Sequence, residues 1–329
     1  MSESFAVNAA GGAGGAGGAG AVNAAGGAGA VGVARRVPGT RRRLQLVLGG
    51  IWLLDGLLQY QPAMFSKAFP QMLADASAGN PAAVAAPIGW SATFIGHHLA
   101  LTNGTFATIQ VLLGLGIAFR PTVRPALAAS ILWSLAVWWF GEGLGGVLTG
   151  NVSPLTGAPG AVVLYAVLAV LLWPADRDPG ARSVAGRAVG DATARAVWLL
   201  LWGAMAMLAL LPGVRAPRTL SAAVAGMSSG QPDWLAWLDT RIASILGSDG
   251  VAISVGLAVL LAAIAIGGCL PDRGLRAAVA AAVALSVVFF LAQGAGQLLT
   301  GGATDPNTGP LLALLGLSFW PVVREGRTA

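Results

Sequence analysis

Long apolar runs alternate along the chain with short segments rich in arginine. The runs cover 44–61, 102–119, 125–148, 159–174, 196–213, 250–269, 277–299 and 309–323. Unbroken apolarity over about 20 residues marks a helix surrounded by hydrocarbon, because roughly 30 Å must be crossed at ~1.5 Å per residue. The fourth and eighth runs are short and are expected to begin inside the preceding loop. The pattern therefore predicts an all-α membrane fold with eight transmembrane helices.

The pattern is also written twice. Trp138 to Gly150, with Gly141-Glu142-Gly143-Leu144-Gly145-Gly146 inside it, returns as Phe289 to Gly301, with Ala292-Gln293-Gly294-Ala295-Gly296-Gln297. A Thr-Gly-Pro-type loop follows each copy (Thr156, Gly157, Pro159 and Thr308, Gly309, Pro310), and each ends at a Trp-Pro stop, Trp173-Pro174 and Trp320-Pro321. Upstream, Trp52 to Pro62 answers Trp202 to Pro212. Two tandem four-helix repeats are expected, over 41–175 and 196–329. Four spans per repeat give both copies one orientation, so the repeats are parallel, related by an axis along the membrane normal. Residues 176–195 read as a solvated linker. Residues 1–40 open on Gly-Gly-Ala repeats too rich in glycine to hold a core, and are expected to be a disordered tail.

Composition agrees with the pattern. Hydrophobic residues are 56% and charged residues 10% of the chain, against roughly 25% charged in soluble proteins. The net charge of +6 does not imply nucleic acid, because the arginines form no patch. They sort by side instead. Arg35, Arg36, Arg41, Arg42, Arg43, Arg120, Arg124, Arg177, Arg182, Arg187, Arg195, Arg273, Arg276, Arg324 and Arg327 fall on one side of the eight spans, and only Lys67, Arg215, Arg218 and Arg241 on the other. That asymmetry predicts cytoplasmic termini and two long external loops, 62–101 and 214–249, with short helices lying on the outer bilayer surface. The preference for Arg, Ala and Gly suggests a GC-rich bacterial genome, hence a bacterial inner membrane. The single cysteine, Cys269, excludes a disulfide or a Cys-x-x-Cys redox pair within the chain. No Walker sequence or dinucleotide fingerprint is present, which argues against ATP coupling.

Few residues can carry chemistry. Asp55 lies in the first span, roughly 18 Å along the helix from Arg43, just beyond mid-bilayer. A charge at that depth costs at least ~2.5 kcal/mol, so the side chain should face the bundle interior. Glu142 lies near the outer end of the third span, among glycines that allow close approach of another backbone. Their counterparts in the second copy are Met205 and Gln293, which places the expected site in the first half. His97 and His98, the only histidines, and the mid-bilayer Gln110 are candidate cofactor-binding residues. No metal-ligand spacing accompanies them. Asp55, Glu142 and at least one histidine are expected to line one cavity, open outward. The second copy, with Gln293 and Gln297 in its place, reads as degenerate and structural.

The four-span unit resembles the DoxX/DoxD family of small bacterial membrane proteins. The features are Gly49-Gly50-Ile51-Trp52 after basic residues, the long external loop, the glycine-rich third span and the short fourth span, over about 40–174 and more weakly 195–323. Some members are subunits of thiosulfate:quinone oxidoreductase. The resemblance implies a respiratory or redox-associated role, with quinone as candidate cofactor, Asp55 and Glu142 as candidate catalytic groups and a respiratory protein as partner. This chain departs from it in having no external cysteine and no intramembrane arginine. The rival readings are a small-solute or proton-coupled transporter, with Asp55 and Glu142 as cation sites, and a non-catalytic scaffold.

The arginine asymmetry yields a direct test. Single cysteines introduced within 65–85 should react with an impermeant maleimide added to intact cells, and those within 180–190 should not. Labelling of 180–190 from outside would reverse the topology.

Overall fold

Apolar helices dominate the computed structural model, which describes residues 26–322. The helices are α1 (Gly26–Gln59), α2 (Ala68–Asp75), α3 (Ala82–His97), α4 (Leu99–Ala118), α5 (Val123–Phe140), α6 (Ala161–Leu171), α7 (Val184–Val189), α8 (Asp191–Ala209), α9 (Pro212–Arg215), α10 (Thr219–Gly226), α11 (Asp233–Leu246), α12 (Gly250–Gly267), α13 (Asp272–Ala292) and α14 (Thr308–Ser318). Among the described residues there is no strand. Five helical segments are long and apolar enough to cross a membrane: Leu99–Ala118, Arg120–Phe140, Asp191–Ala209, Gly250–Gly267 and Asp272–Ala292. Large apolar side chains on these helices point outward, with Leu101 73%, Leu132 71% and Leu200 72% exposed. Exposure on that scale suits hydrocarbon, not water. The protein is an all-α membrane protein.

Three sequence expectations change. The glycine-rich expectation over 1–25 lies outside the described residues, but from Gly26 to Thr40 the backbone is already helical and continuous with α1. The stretch 176–195 is packed, because Ser183 caps α7 by accepting the Gly186 N–H at 3.0 Å and Val184, Ala185 and Ala188 are buried. The third apolar run does not continue as helix to 148. It breaks after Phe140, where Gly143, Leu144, Gly145 and Gly146 all have positive φ.

That break recurs after α13. Gly294, Ala295, Gly296 and Gln297 also have positive φ, and Leu144 (57°, 33°) and Ala295 (50°, 40°) adopt nearly the same φ and ψ. Non-glycine residues enter this region at a steric cost, and the glycines around them carry most of the turn. After each break comes a short helix of 11 residues, α6 or α14.

The two halves share one core. Trp52, Leu164 and Tyr165 of the first half cluster with Trp198, Leu311 and Leu315 of the second. They also exchange loops. The turn Pro154–Thr156 of the first half packs against α8, α10 and α13, and buries Leu155. The loop 304–307 of the second half reaches the other way, into the first.

Close helix crossing is local and glycine-dependent. At the contact of α1 with α4, a Cβ on Gly114 would lie 2.7 Å from the Gly49 carbonyl oxygen, and one on Gly56 would lie 2.6 Å from Val111 Cγ2. Small residues permit this approach, and van der Waals contact then replaces lipid. Gly104, on the same helix, has nothing within 4 Å of such a Cβ. Thermal unfolding in detergent should therefore show Gly114→Ala losing about 1–3 kcal/mol of stability through overpacking. Gly104→Ala should be neutral or slightly stabilising through helix propensity. Equal effects would mean that the crossing is not tight.

Candidate functional site

Helical spacing assembles the first wall of a large cavity. Trp52, Asp55 and Gln59 lie three and four residues apart on α1 and share a face. Phe106 and Gln110 do the same on α4, and Trp133, Ala136, Val137 and Phe140 on α5. All of them line one cavity of about 820 Å³, within the range of roughly 300–1,000 Å³ typical of ligand sites. Phe69, Met72, Trp90 and Phe94 from α2 and α3 line it as well.

Asp55 sits at the buried end of the α1 face, 2% exposed. The Tyr165 hydroxyl of α6 donates to its Oδ2. Its Oδ1 has no protein partner. The Tyr165 ring packs on the Trp52 indole, with centroids 4.2 Å apart, and Trp52 Nε1 donates to Ser130 Oγ at 3.1 Å. The carboxyl thus has one protein partner, the Tyr165 hydroxyl, and one oxygen without any, on a residue that lines the cavity.

Glu142 reaches the cavity because α5 has ended. It begins the left-handed turn, and its carboxylate accepts the Val162 N–H at 3.3 and 3.4 Å, at the start of α6. A helix N-terminus favours a negative group there. Two further contacts fix the turn. Trp138 Nε1 donates to the Pro159 carbonyl oxygen at 2.8 Å, and a Cβ on Gly145 would lie 1.9 Å from that same oxygen.

The third carboxyl, Asp305, comes from the second half. Its Oδ1 accepts the Asn307 N–H at 2.7 Å and its Oδ2 accepts the Thr304 hydroxyl at 3.0 Å, which shapes the loop around it. Thr304, Asp305 and Asn307 all line the cavity. The sequence reading confined the site to the first half and missed this group. One signal was available: with Thr156-Gly157 set against Thr308-Gly309, Ser153-Pro154-Leu155 stands against Asp305-Pro306-Asn307, so the second half has a carboxyl where the first has serine. Tyr165, one of only two tyrosines and set in an otherwise apolar helix, was also passed over.

Asp55 and Glu142 line one cavity, as expected of those two, and Gln110 lines it as well. His97 and His98 do not. Both are exposed, one turn beyond Phe94, where α3 ends and the chain turns into α4. The His98 ring tilts against Phe94 at 5.0 Å, and neither histidine lines the cavity. Their assignment as cofactor ligands in this cavity is corrected. Gln110 Oε1 and Trp133 Nε1, like Asp55 Oδ1, have no protein partner. Among the described residues no lysine, arginine or histidine lines the cavity. No three His, Cys, Asp or Glu among them converge as metal ligands.

In the second half, Gln293 is 2% exposed and clamped. It donates to Thr308 Oγ1 at 2.9 Å and to the Pro154 carbonyl oxygen at 3.4 Å, across the interface between halves. Gln297 turns to Met227 instead. The chain matches no protein-family model, no curated protein and no solved structure.

A fourth acidic group is buried away from the cavity. Asp239 of α11 is 0% exposed, with both oxygens unpartnered. Burial raises its carboxyl above the ordinary value of 3.8. The folded state therefore holds the proton more tightly than the unfolded chain, and stability falls as pH rises from about that ordinary value through the raised one. Asp239→Asn should raise Tm at pH 7, and the gain should shrink as the pH approaches the ordinary value. A variant less stable than wild type at pH 7 would show an ionised, partnered Asp239.

Proposed function

We propose that this chain is an eight-span membrane protein of two tandem, parallel four-helix units, and that its first unit binds an amphipathic small molecule in the cavity around Asp55. Supporting the repeat are the doubled sequence and the paired backbone breaks at Leu144 and Ala295. The shorter α6 and α14 count as spans together with the loops before them, since 11 helical residues reach only about 16 Å. The arginine distribution supports a plasma-membrane protein with cytoplasmic termini and a cavity toward the outside.

The observation that carries the binding reading is the set of unpartnered polar atoms. Asp55 Oδ1, Gln110 Oε1 and Trp133 Nε1 belong to residues that line one cavity with aromatic walls. A scaffold has no use for buried polar atoms left open, because each costs roughly 1–3 kcal/mol unless something pairs with it. A ligand with an apolar body and a polar head meets both demands.

The chemistry served is uptake or sensing of that molecule, or a redox association in which it is a quinone. The DoxX-like resemblance points to the redox case. Asp55 and Glu142 would then position the head, or hold and release its proton.

Native mass spectrometry of the delipidated protein, with decylubiquinone or tetraphenylphosphonium added, tests the reading. One of these probes should bind at one per chain, and Ala136→Trp, which fills the cavity from α5, should abolish that adduct. Failure of both probes, or undiminished binding to Ala136→Trp, would overturn it.

A further inference from the structure

The binding reading leaves the ligand's charge open, and the carboxyls of the two halves settle it. Resting on that reading, we infer that the ligand is an amphipathic organic cation, and that Asp305 of the second half is a specificity-determining residue of the first half's site.

Three carboxyl side chains line one cavity: Asp55 from α1, Glu142 from the turn after α5 and Asp305 from the loop before α14. Among the described residues no basic side chain lines it to balance them. Carboxylates withdrawn from water require a cation or strong donors. Among the described residues no ion pair reaches Asp55, Glu142 or Asp305, whereas Arg41 meets Asp176 at 2.7 Å outside the cavity. In the cavity the protein gives Asp55 only a tyrosine hydroxyl and leaves Oδ1 free, on a side chain that is 2% exposed. The missing counter-charge is the ligand's.

The remaining walls fit the same occupant. Trp52, Trp90, Trp133, Phe94, Phe106 and Phe140 present ring surface to the cavity, and aromatic faces attract a weakly hydrated cation while holding its apolar body. An anionic amphiphile would meet three carboxyls and no basic group. A neutral quinone would draw no more than hydrogen bonds from the three carboxyls.

The sequence difference between the exchanged loops explains why one site is open. Leu155 of the first half's loop is buried against the second half, where it fills space and leaves no room for a head group. At the reciprocal place the second half offers Thr304, Asp305 and Asn307 to the first. Fusion of unequal copies thus gives one plugged position and one acidic one, and the acidic site is incomplete without the second half.

Tetraphenylphosphonium and tetraphenylborate have nearly the same shape and opposite charge. Isothermal titration of the full-length protein in neutral-detergent micelles, corrected with protein-free micelles, should show saturable binding of the cation, at least about tenfold tighter than any binding of the anion. Asp305→Asn and Asp55→Asn should each weaken cation binding by about tenfold or more, as expected for loss of a charge-assisted contact. Asp178→Asn, in the segment between the halves, should leave it unchanged. The wild-type comparison does not depend on any variant folding. Equal affinity for both ions, preference for the anion, or full cation affinity in Asp305→Asn would overturn the inference. If decylubiquinone binds while tetraphenylphosphonium does not, the cavity reading stands and the cation inference fails. If neither binds, both fail.

Discussion

Backbone polar groups in a bilayer have no water to turn to, and this constraint governs the architecture. A chain can leave the helix inside a membrane protein only where other protein groups, or a cavity, receive the freed N–H and C=O groups. This chain leaves it after Phe140 and again after Ala292, and is not helical again in long form until α6 and α14. Everything near the site answers that departure. Trp138 Nε1 donates to the Pro159 carbonyl, Glu142 accepts the Val162 N–H, and the Ser153 and Thr156 side chains close the small turn between them. Gly145 sits where any side chain would strike the Pro159 carbonyl. The cavity lies beside this irregular backbone, and Glu142 reaches it from there.

The same constraint explains the exchange of loops. Each half has a broken segment to cover, and each covers part of the other's. Gln293 shows how tight that exchange is. Its amide bridges Thr308 in its own half and Pro154 in the other. Because the two halves differ, the exchange is unequal. Gln293 and Met205 stand where the first half has Glu142 and Asp55, and Trp202, Met205 and Leu155 are buried there. The first half kept its carboxyls, received another, and kept the space between them.

Much of this was legible in the sequence because the signals were periodic. Apolar length located the five helices long and apolar enough to cross a membrane, with ends displaced by up to eight residues, and the segments 62–101 and 214–249, expected to hold short helices, contain α2, α3, α10 and α11. Asp55 could be aimed inward from energetic grounds alone, since a carboxyl has nowhere else to go at that depth. The histidines failed for a geometric reason. Depth was the only coordinate available to the reading, and His97 and His98 share the level of the site without sharing its azimuth or its turn of helix. Asp305 failed for a topological one, since a residue about 250 positions from Asp55 can be placed beside it only once the packing of the two halves is known. The helical break at Gly141 was legible in composition but was read as a close crossing. Glycine serves both purposes, and only the positive φ values separate them.

What distinguishes a site from a packing defect is the balance of its groups. Unpartnered polar atoms occur in several places in this fold, Asp239 among them, but three of them belong to residues that line one cavity, with acceptors on α1 and α4 and a donor on α5. Stability alone would have removed them. A leucine at 55 would relieve the burial of a carboxyl, as Met205 does in the other half, and the fold evidently accepts that exchange because the second half packs around it. Retaining Asp55, together with the tyrosine that orients it and the tryptophan that holds the tyrosine, preserves a costly group in a fixed position. Preorganisation of that kind has value only for something that binds. The two halves differ at this position, Asp55 against Met205, and the carboxyl falls in the half whose residues line the cavity.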